Sequence, residues 1–246
     1  MSPVVAITGV AGGIGAATAA RFHEAGWAVA GVDLVESSAA TPLVAFARLD
    51  LRNAGAGADL GAFLAGLPGL DALVNVAAIQ GIDRIEATPV AAWDDVLNAN
   101  ARGTFLAMQA AHPHLRRSHG AVVNVASVHA MATTAGAAPY AASKGAIVAL
   151  TRAAAIEWAP DVRVNAVAPG AVDTGMLRQG LQRASPADGV DAALAGLARR
   201  IPLGRIGRPD EIAESILFLA DARRSSFITG QVLVADGGAL ARLSTE

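Results

Sequence analysis

The chain contains one tyrosine and one lysine, Tyr140 and Lys144, and they stand four residues apart. Of its 19 lysines and arginines, every one except Lys144 is arginine. On a helix, side chains four apart stack on one face. An ammonium held beside a phenol favours the phenolate and draws its pKa from about 10 toward neutrality. The spacing therefore predicts a tyrosine able to give and take a proton at working pH. Alone it also describes an exposed tyrosine next to a helical lysine, so other residues must decide.

A second segment carries different chemistry. Thr8-Gly9-Val10-Ala11-Gly12-Gly13-Ile14-Gly15 follows an apolar run and opens a helical pattern. Glycines at such a turn let the backbone approach a pyrophosphate, which rests against the positive end of the helix. Asp33 closes the second apolar run, where a carboxylate accepts hydrogen bonds from the adenosine ribose hydroxyls and repels a 2′-phosphate. No arginine or lysine lies in 10–12 or just after Asp33, so the expected cofactor is NAD rather than NADP.

Alternating elements must position these residues. Candidate strands are 4–8, 28–32, 44–49, 72–76, 121–126, 163–167 and 232–235; helical patterns cover 14–25, 58–67, 91–115, 140–158 and 209–220. Continuous apolar strands separated by helices predict one α/β domain over 1–246, a doubly wound Rossmann-type fold with a mostly parallel seven-stranded sheet. Residues 37–42 read as loop, and 175–200 reads as an insertion suited to a mobile substrate lid.

Composition narrows the function. A net charge of −2 and a pI near 6.2 argue against a nucleic-acid partner. The absence of cysteine removes disulfides, thiolate metal sites and a cysteine nucleophile. Residues 118–143 carry no Asp, Glu, Lys or Arg, yet Asn124, Ser127, His129, Thr133, Thr134, Gly136 and Pro139 break any continuous apolar helix, so no membrane span is expected. No signal peptide is visible and a cytoplasmic location is expected. His112 and His114 read as the end of a long helix rather than metal ligands, and no metal is expected.

With the glycine turn and Tyr140-x-x-x-Lys144 both in place, the chain resembles the short-chain dehydrogenase/reductase family over nearly its whole length. The family's glycine pattern matches Thr8, Gly9, Gly13 and Gly15, and its active-site pair matches Tyr140 and Lys144. Its serine, thirteen positions before the tyrosine, matches Ser127; its asparagine in an Asn-x-x-Gly turn matches Asn100, followed by Gly103. The resemblance places Asp50 and Leu51 at the adenine, Asn75 and Ala77 along the cofactor, and Pro169, Gly170, Val172 and Thr174 at its nicotinamide end. Arg208-Pro209-x-Glu211-Ile212-Ala213 and Asp236-Gly237-Gly238 match C-terminal signatures. The family's usual Asn-Asn-Ala-Gly is here Asn75-Val76-Ala77-Ala78, which implies a local adjustment in cofactor packing.

The resemblance implies hydride transfer between a nicotinamide and a carbonyl or alcohol carbon. Tyr140 would exchange the proton on the substrate oxygen, and Lys144 would lower the tyrosine pKa and bind the nicotinamide ribose. Ser127 would hydrogen-bond the same substrate oxygen, and Asn100 would hold a water linking Lys144 to solvent. For the substrate, His129 and Gln80 resemble carboxylate contacts of 3-hydroxybutyrate dehydrogenases, with Arg178 as an available cation; they equally suit hydroxyls of sugars, polyols or cyclic diols, which are preferred. An acyl-carrier-protein ketoreductase or a redox-sensing regulator are the other classes. Small residues along 140–158 and its resemblance to paired helices predict a homotetramer, with a dimer as the alternative.

Overall fold

The strands follow from period-two burial. Val5 and Ile7 on the first strand pack on one face of the sheet, while Ala6 between them packs on the other. Both faces are therefore covered, and β1 (Val4–Thr8), β4 (Ala72–Asn75) and β5 (Ala121–Val125) are buried end to end. They lie at the centre of a seven-stranded parallel sheet with β2 (Ala28–Asp33), β3 (Ala45–Arg48), β6 (Arg163–Pro169) and β7 (Val232–Ala235), in the order β3-β2-β1-β4-β5-β6-β7. The order reverses between β1 and β4, which opens a crevice at the carboxyl ends of the strands. This computed structural model describes residues 2–35, 41–184 and 189–241.

On one face, α1 (Gly13–Glu24) and α8 (Pro209–Ala220) contribute Phe22, Ile212 and Ile216 to a core with Val5, Ile7 and Val123. On the other, α2 (Ala56–Ala65), α4 (Gly103–Ser118) and α5 (Ala138–Glu157) supply Leu60, Leu64, Met108, Leu115 and Ala154. The expected helix over 91–115 is divided. It comprises α3 (Val90–Leu97), a π-helical turn at Asn98–Arg102, and α4. The extra residue in the turn brings Asn100, fully buried, against the chain after β4. The insertion at 175–200 folds as α6 (Gly175–Ala184) and α7 (Val190–Arg200). A one-turn helix, α9 (Ala222–Ser225), follows α8 and had no periodic signal. The predicted strand 44–49 is shorter at this sheet edge, and of the predicted loop 37–42 only Thr41 and Pro42 are among the described residues.

A row of buried polar side chains crosses the interior. Thr8 reaches Asn75 (3.5 Å), the Asn75 amide donates to Asn124 Oδ1 (2.9 Å), and the Asn124 amide donates to Thr151 on α5 (3.0 Å). Thr151 donates in turn to the Ile147 carbonyl at 2.8 Å. The row joins the glycine turn to the helix bearing Tyr140. Asn124→Ala leaves donor and acceptor orphaned on both sides, so urea unfolding should show a loss of about 2–4 kcal/mol.

Candidate active site

The turn after β1 is shaped by two glycines. Gly9 has φ of +73°, and a Cβ there would stand 2.6 Å from Ala77 N. A Cβ on Gly15 would meet the Gly9 carbonyl at 1.9 Å. The backbone can close this tightly only without side chains, which leaves the cradle at the start of α1 that a pyrophosphate requires. Gly13 and Ile14 open the helix, and Gly13 lies against the Thr174 side chain. Asn75 and Ala77 continue the floor past β4. Val76 packs against the core, and Gly9 abuts Ala77.

Asp33 ends β2 beside this cradle. Its carboxylate accepts from Ala11 N (2.9 Å) and Leu34 N (2.7 Å), shaping the turn. Sequence reasoning missed Arg48. It pairs with Asp33 in the β2–β3 register and donates from Nε to the Leu34 carbonyl at 2.8 Å, so a cation does stand just beyond Asp33. Only the strand register could have revealed it. Asp50 is held bidentately by Arg52 (3.0 and 2.8 Å), which keeps its carboxyl below the usual range, and Leu51 is buried beneath Gly103. The expected adenine contact at Asp50 thus has an arginine already engaged on it. Pro169 ends β6, Gly170 N donates to the Ala235 carbonyl, Val172 is buried, and Thr174 accepts from Leu177 N to start α6.

Across the crevice, β5 and α5 bring Ser127, Tyr140 and Lys144 together. Ser127 Oγ accepts from His129 N at 3.2 Å, which leaves its own proton free to donate. Lys144 is 2% exposed, lies 5.5 Å from the Tyr140 ring centre and donates to the Val125 carbonyl at 2.7 Å. Here one expectation is reversed. Burial raises the Tyr140 pKa, opposed only by the hydrogen bond with Ser127, and burial also lowers Lys144 to about 7. Proximity is as the spacing predicts, and desolvation is the largest influence on both groups.

Asn100 is fully buried, and its side chain is held by protein groups. Its Oδ1 accepts from Ile79 N (2.8 Å), and its Nδ2 donates to the Ile79 carbonyl (2.9 Å) and to Ser143 Oγ (3.0 Å). Both amide hydrogens are engaged by protein, so its side chain clamps Ile79 and α5 rather than presenting a donor to water. Ser143 passes the link to the Tyr140 carbonyl at 2.7 Å.

The expected substrate contacts are Gln80, which lies against Gly180 of α6, and His129. His129 meets Tyr140 edge to face at 5.6 Å between ring centres, bonds Thr133 Oγ1 through Nδ1 (2.8 Å), and is held below its usual pKa by burial. On α6, Met176, Leu177, Gly180 and Leu181 turn inward and half-buried; a Cβ on Gly180 would stand 3.1 Å from Gln80 Oε1. Arg178 is on the outer face, paired with Asp173 (2.7 Å) and approaching Asp191 at 3.6 Å. It fastens the two insertion helices and is not directed to Gln80 or His129. His112 stacks on Trp158, and His114 bonds Arg117 on the same helix. Among the described residues no group of three or more potential metal ligands gathers, and no helix is long and apolar enough to cross a membrane.

A dinucleotide-type cradle facing a Ser-Tyr-Lys cluster defines an oxidoreductase class, and comparison with known proteins narrows it. The family model described as enoyl-(acyl carrier protein) reductase matches residues 9–239. A Thauera aromatica protein, (2S)-[(R)-hydroxy(phenyl)methyl]succinyl-CoA dehydrogenase subunit BbsD, is 38% identical over 96% of this chain and 95% of its own. Cyclopentanol dehydrogenase of Comamonas testosteroni is 39% identical over 69% of this chain and 65% of its own. The ligand-free structure of Thermoplasma acidophilum aldohexose dehydrogenase superposes with a TM-score of 0.93 at 31% identity, covering 99% of this chain and 96% of that one. The chain belongs to the short-chain dehydrogenase/reductase family. Its relatives are dehydrogenases and reductases, so it is an oxidoreductase of secondary alcohols or the corresponding carbonyls.

Proposed function

We propose that the protein is an NAD-dependent dehydrogenase of uncharged secondary alcohols, with cyclic or polyhydroxylated substrates preferred. The observation that carries the substrate class is that, among the described residues, no free positive charge stands beside Gln80 and His129. Burial keeps His129 neutral near pH 7, Lys144 is bound to the Val125 carbonyl, and Arg178 is drawn outward by Asp173. A carboxylate placed there would lose its hydration without gaining a cation, whereas hydroxyl groups find an amide, an imidazole and a serine. Alternation with the apolar face of α6 suits a ring or carbon chain carrying more than one oxygen. Cyclopentanol dehydrogenase and aldohexose dehydrogenase, whose names give substrates of these kinds, are consistent with the reading.

The glycine cradle and Asp33 fit a nicotinamide dinucleotide, and Asp33 favours the form with a free 2′-hydroxyl. Residues of the cradle, with Asn75, Ala77 and the segment 169–174, would hold it. A nicotinamide held there would supply the acceptor for hydride from the alcohol carbon. Tyr140 takes the proton from the alcohol oxygen, Ser127 donates to that oxygen as its charge changes, and Lys144 supports both from beneath. Asn100 and Ser143 fix the position of Tyr140. The insertion helices act as the lid, and a cytoplasmic homotetramer is the assembly we favour, since Phe105 on α4 and Ile156 on α5 are exposed apolar residues on helices that similar proteins pair.

The test is absorbance at 340 nm with NAD or NADP across cyclic alcohols, vicinal diols, aldoses and 3-hydroxy acids. Turnover with NAD on neutral alcohols at a kcat/KM at least about 100-fold above the hydroxy acids is expected. A preference for the acids would overturn the substrate reading.

A further inference from the structure

We infer that Arg48 is a cofactor-selecting residue whose guanidinium stands where a phosphate on the adenosine 2′ oxygen would sit, with Asp33 as the group that opposes that phosphate. The inference rests on the dinucleotide reading of the glycine turn and Asp33 given above.

Three observations place Arg48. Asp33 and Arg48 are Cα partners in parallel strands, and paired residues of adjacent strands direct their side chains to the same face. The Arg48 Nε donates to the carbonyl of Leu34, the residue whose N–H is bonded to the Asp33 carboxylate. The guanidinium is thereby anchored one peptide away from the Asp33 carboxylate. Arg48 is also exposed, and among the described residues its side chain makes that one hydrogen bond. A planar fork of N–H donors fixed by Nε presents its remaining edge for bidentate contact with a phosphate. An arginine at a sheet edge is commonly a solvated surface group that merely satisfies a carbonyl. What sets this one apart is the register, which puts it beside the one carboxylate that sorts the two dinucleotides. The pocket therefore holds both an excluding and an admitting group, and its preference is their balance.

Calorimetric titration with NAD and NADP on the full chain, for the wild type, R48Q, D33N and D33N/R48Q, decides the matter. Asp33→Asn keeps one of the two acceptors that the Ala11 and Leu34 amides use, and D33S serves as a second variant if D33N melts early. Removing the carboxylate should raise NADP affinity by about tenfold, and adding Arg48→Gln should abolish that gain while moving NAD affinity by less than about twofold. If the double variant keeps its NADP affinity, Arg48 does not read the 2′ position. If Arg48→Gln weakens both dinucleotides equally, the residue stacks on adenine or supports the fold, and the assignment is also lost. A wild type that prefers NADP would defeat the Asp33 reading alone; Arg48→Gln should then cost about tenfold in NADP affinity, and no loss would defeat the inference too. A wild type binding neither dinucleotide overturns both.

Discussion

Tyr140→Phe should lower turnover by about 1,000-fold while leaving dinucleotide affinity unchanged, measured by steady-state rates and by quenching of intrinsic fluorescence. The substitution removes one oxygen from a ring that His129 and Lys144 flank, so packing survives and the proton acceptor is lost. Burial holds the Tyr140 pKa above its usual value, with the Ser127 hydrogen bond working the other way. Alcohol oxidation needs the phenolate, so the wild-type rate should climb toward alkaline pH and the variant's residual rate should not. Carbonyl reduction needs the phenol and should lean the opposite way. A variant keeping more than a few per cent of activity would remove Tyr140 from the proton path.

Lys144→Met should abolish activity and yet raise thermal stability. An amine moved from 10.5 to about 7 by burial sets a ceiling of about 5 kcal/mol on the cost of housing it. The folded state binds this proton less tightly than the unfolded chain, so the cost is full below pH 7, fades as pH rises from 7 to 10.5, and is gone above that. Methionine fills the same shaft without charge but leaves the Val125 carbonyl without its donor, which offsets about 1 kcal/mol. A net gain of about 2 kcal/mol near pH 7, or about 4–8 °C in Tm, is expected, shrinking toward pH 10. Calorimetric scans at pH 6.5 and 9.5 check it; a destabilised variant at the lower pH would mean that the ammonium is well solvated in the fold.

Much of this site was legible in the sequence because its chemistry depends on local spacing. Tyr140 and Lys144 share a helix, the glycines share one turn, and Ser127 ends the strand that the pattern of apolar residues marks out. The β–α alternation gave the architecture, since continuous apolar strands have no other way to bury both faces. What stayed hidden depends on distance in sequence or on solvation. Arg48 meets Asp33 only through a strand register, and Arg178 finds Asp191 only once the insertion folds into two helices. The π-helical turn has no periodic signature, so 91–115 read as one helix and the side-chain partners of Asn100 stayed hidden. The pKa directions at Tyr140 and Lys144 are set by burial, which spacing cannot report.

The buried row from Thr8 through Asn75 and Asn124 to Thr151 has a bearing on how such a protein can change. It ties the cofactor turn to the catalytic helix through the rigid middle of the sheet, so alterations there disturb fold and chemistry together. The half-buried residues of α6, by contrast, belong to no such network among the described residues; they include Met176, Leu177, Gly180 and Leu181. Substrate preference can therefore drift by exchanging those four side chains while the reaction machinery is inherited intact. Libraries confined to them should yield altered selectivity at little cost in folded yield, a division of labour between a fixed engine and an interchangeable mouth.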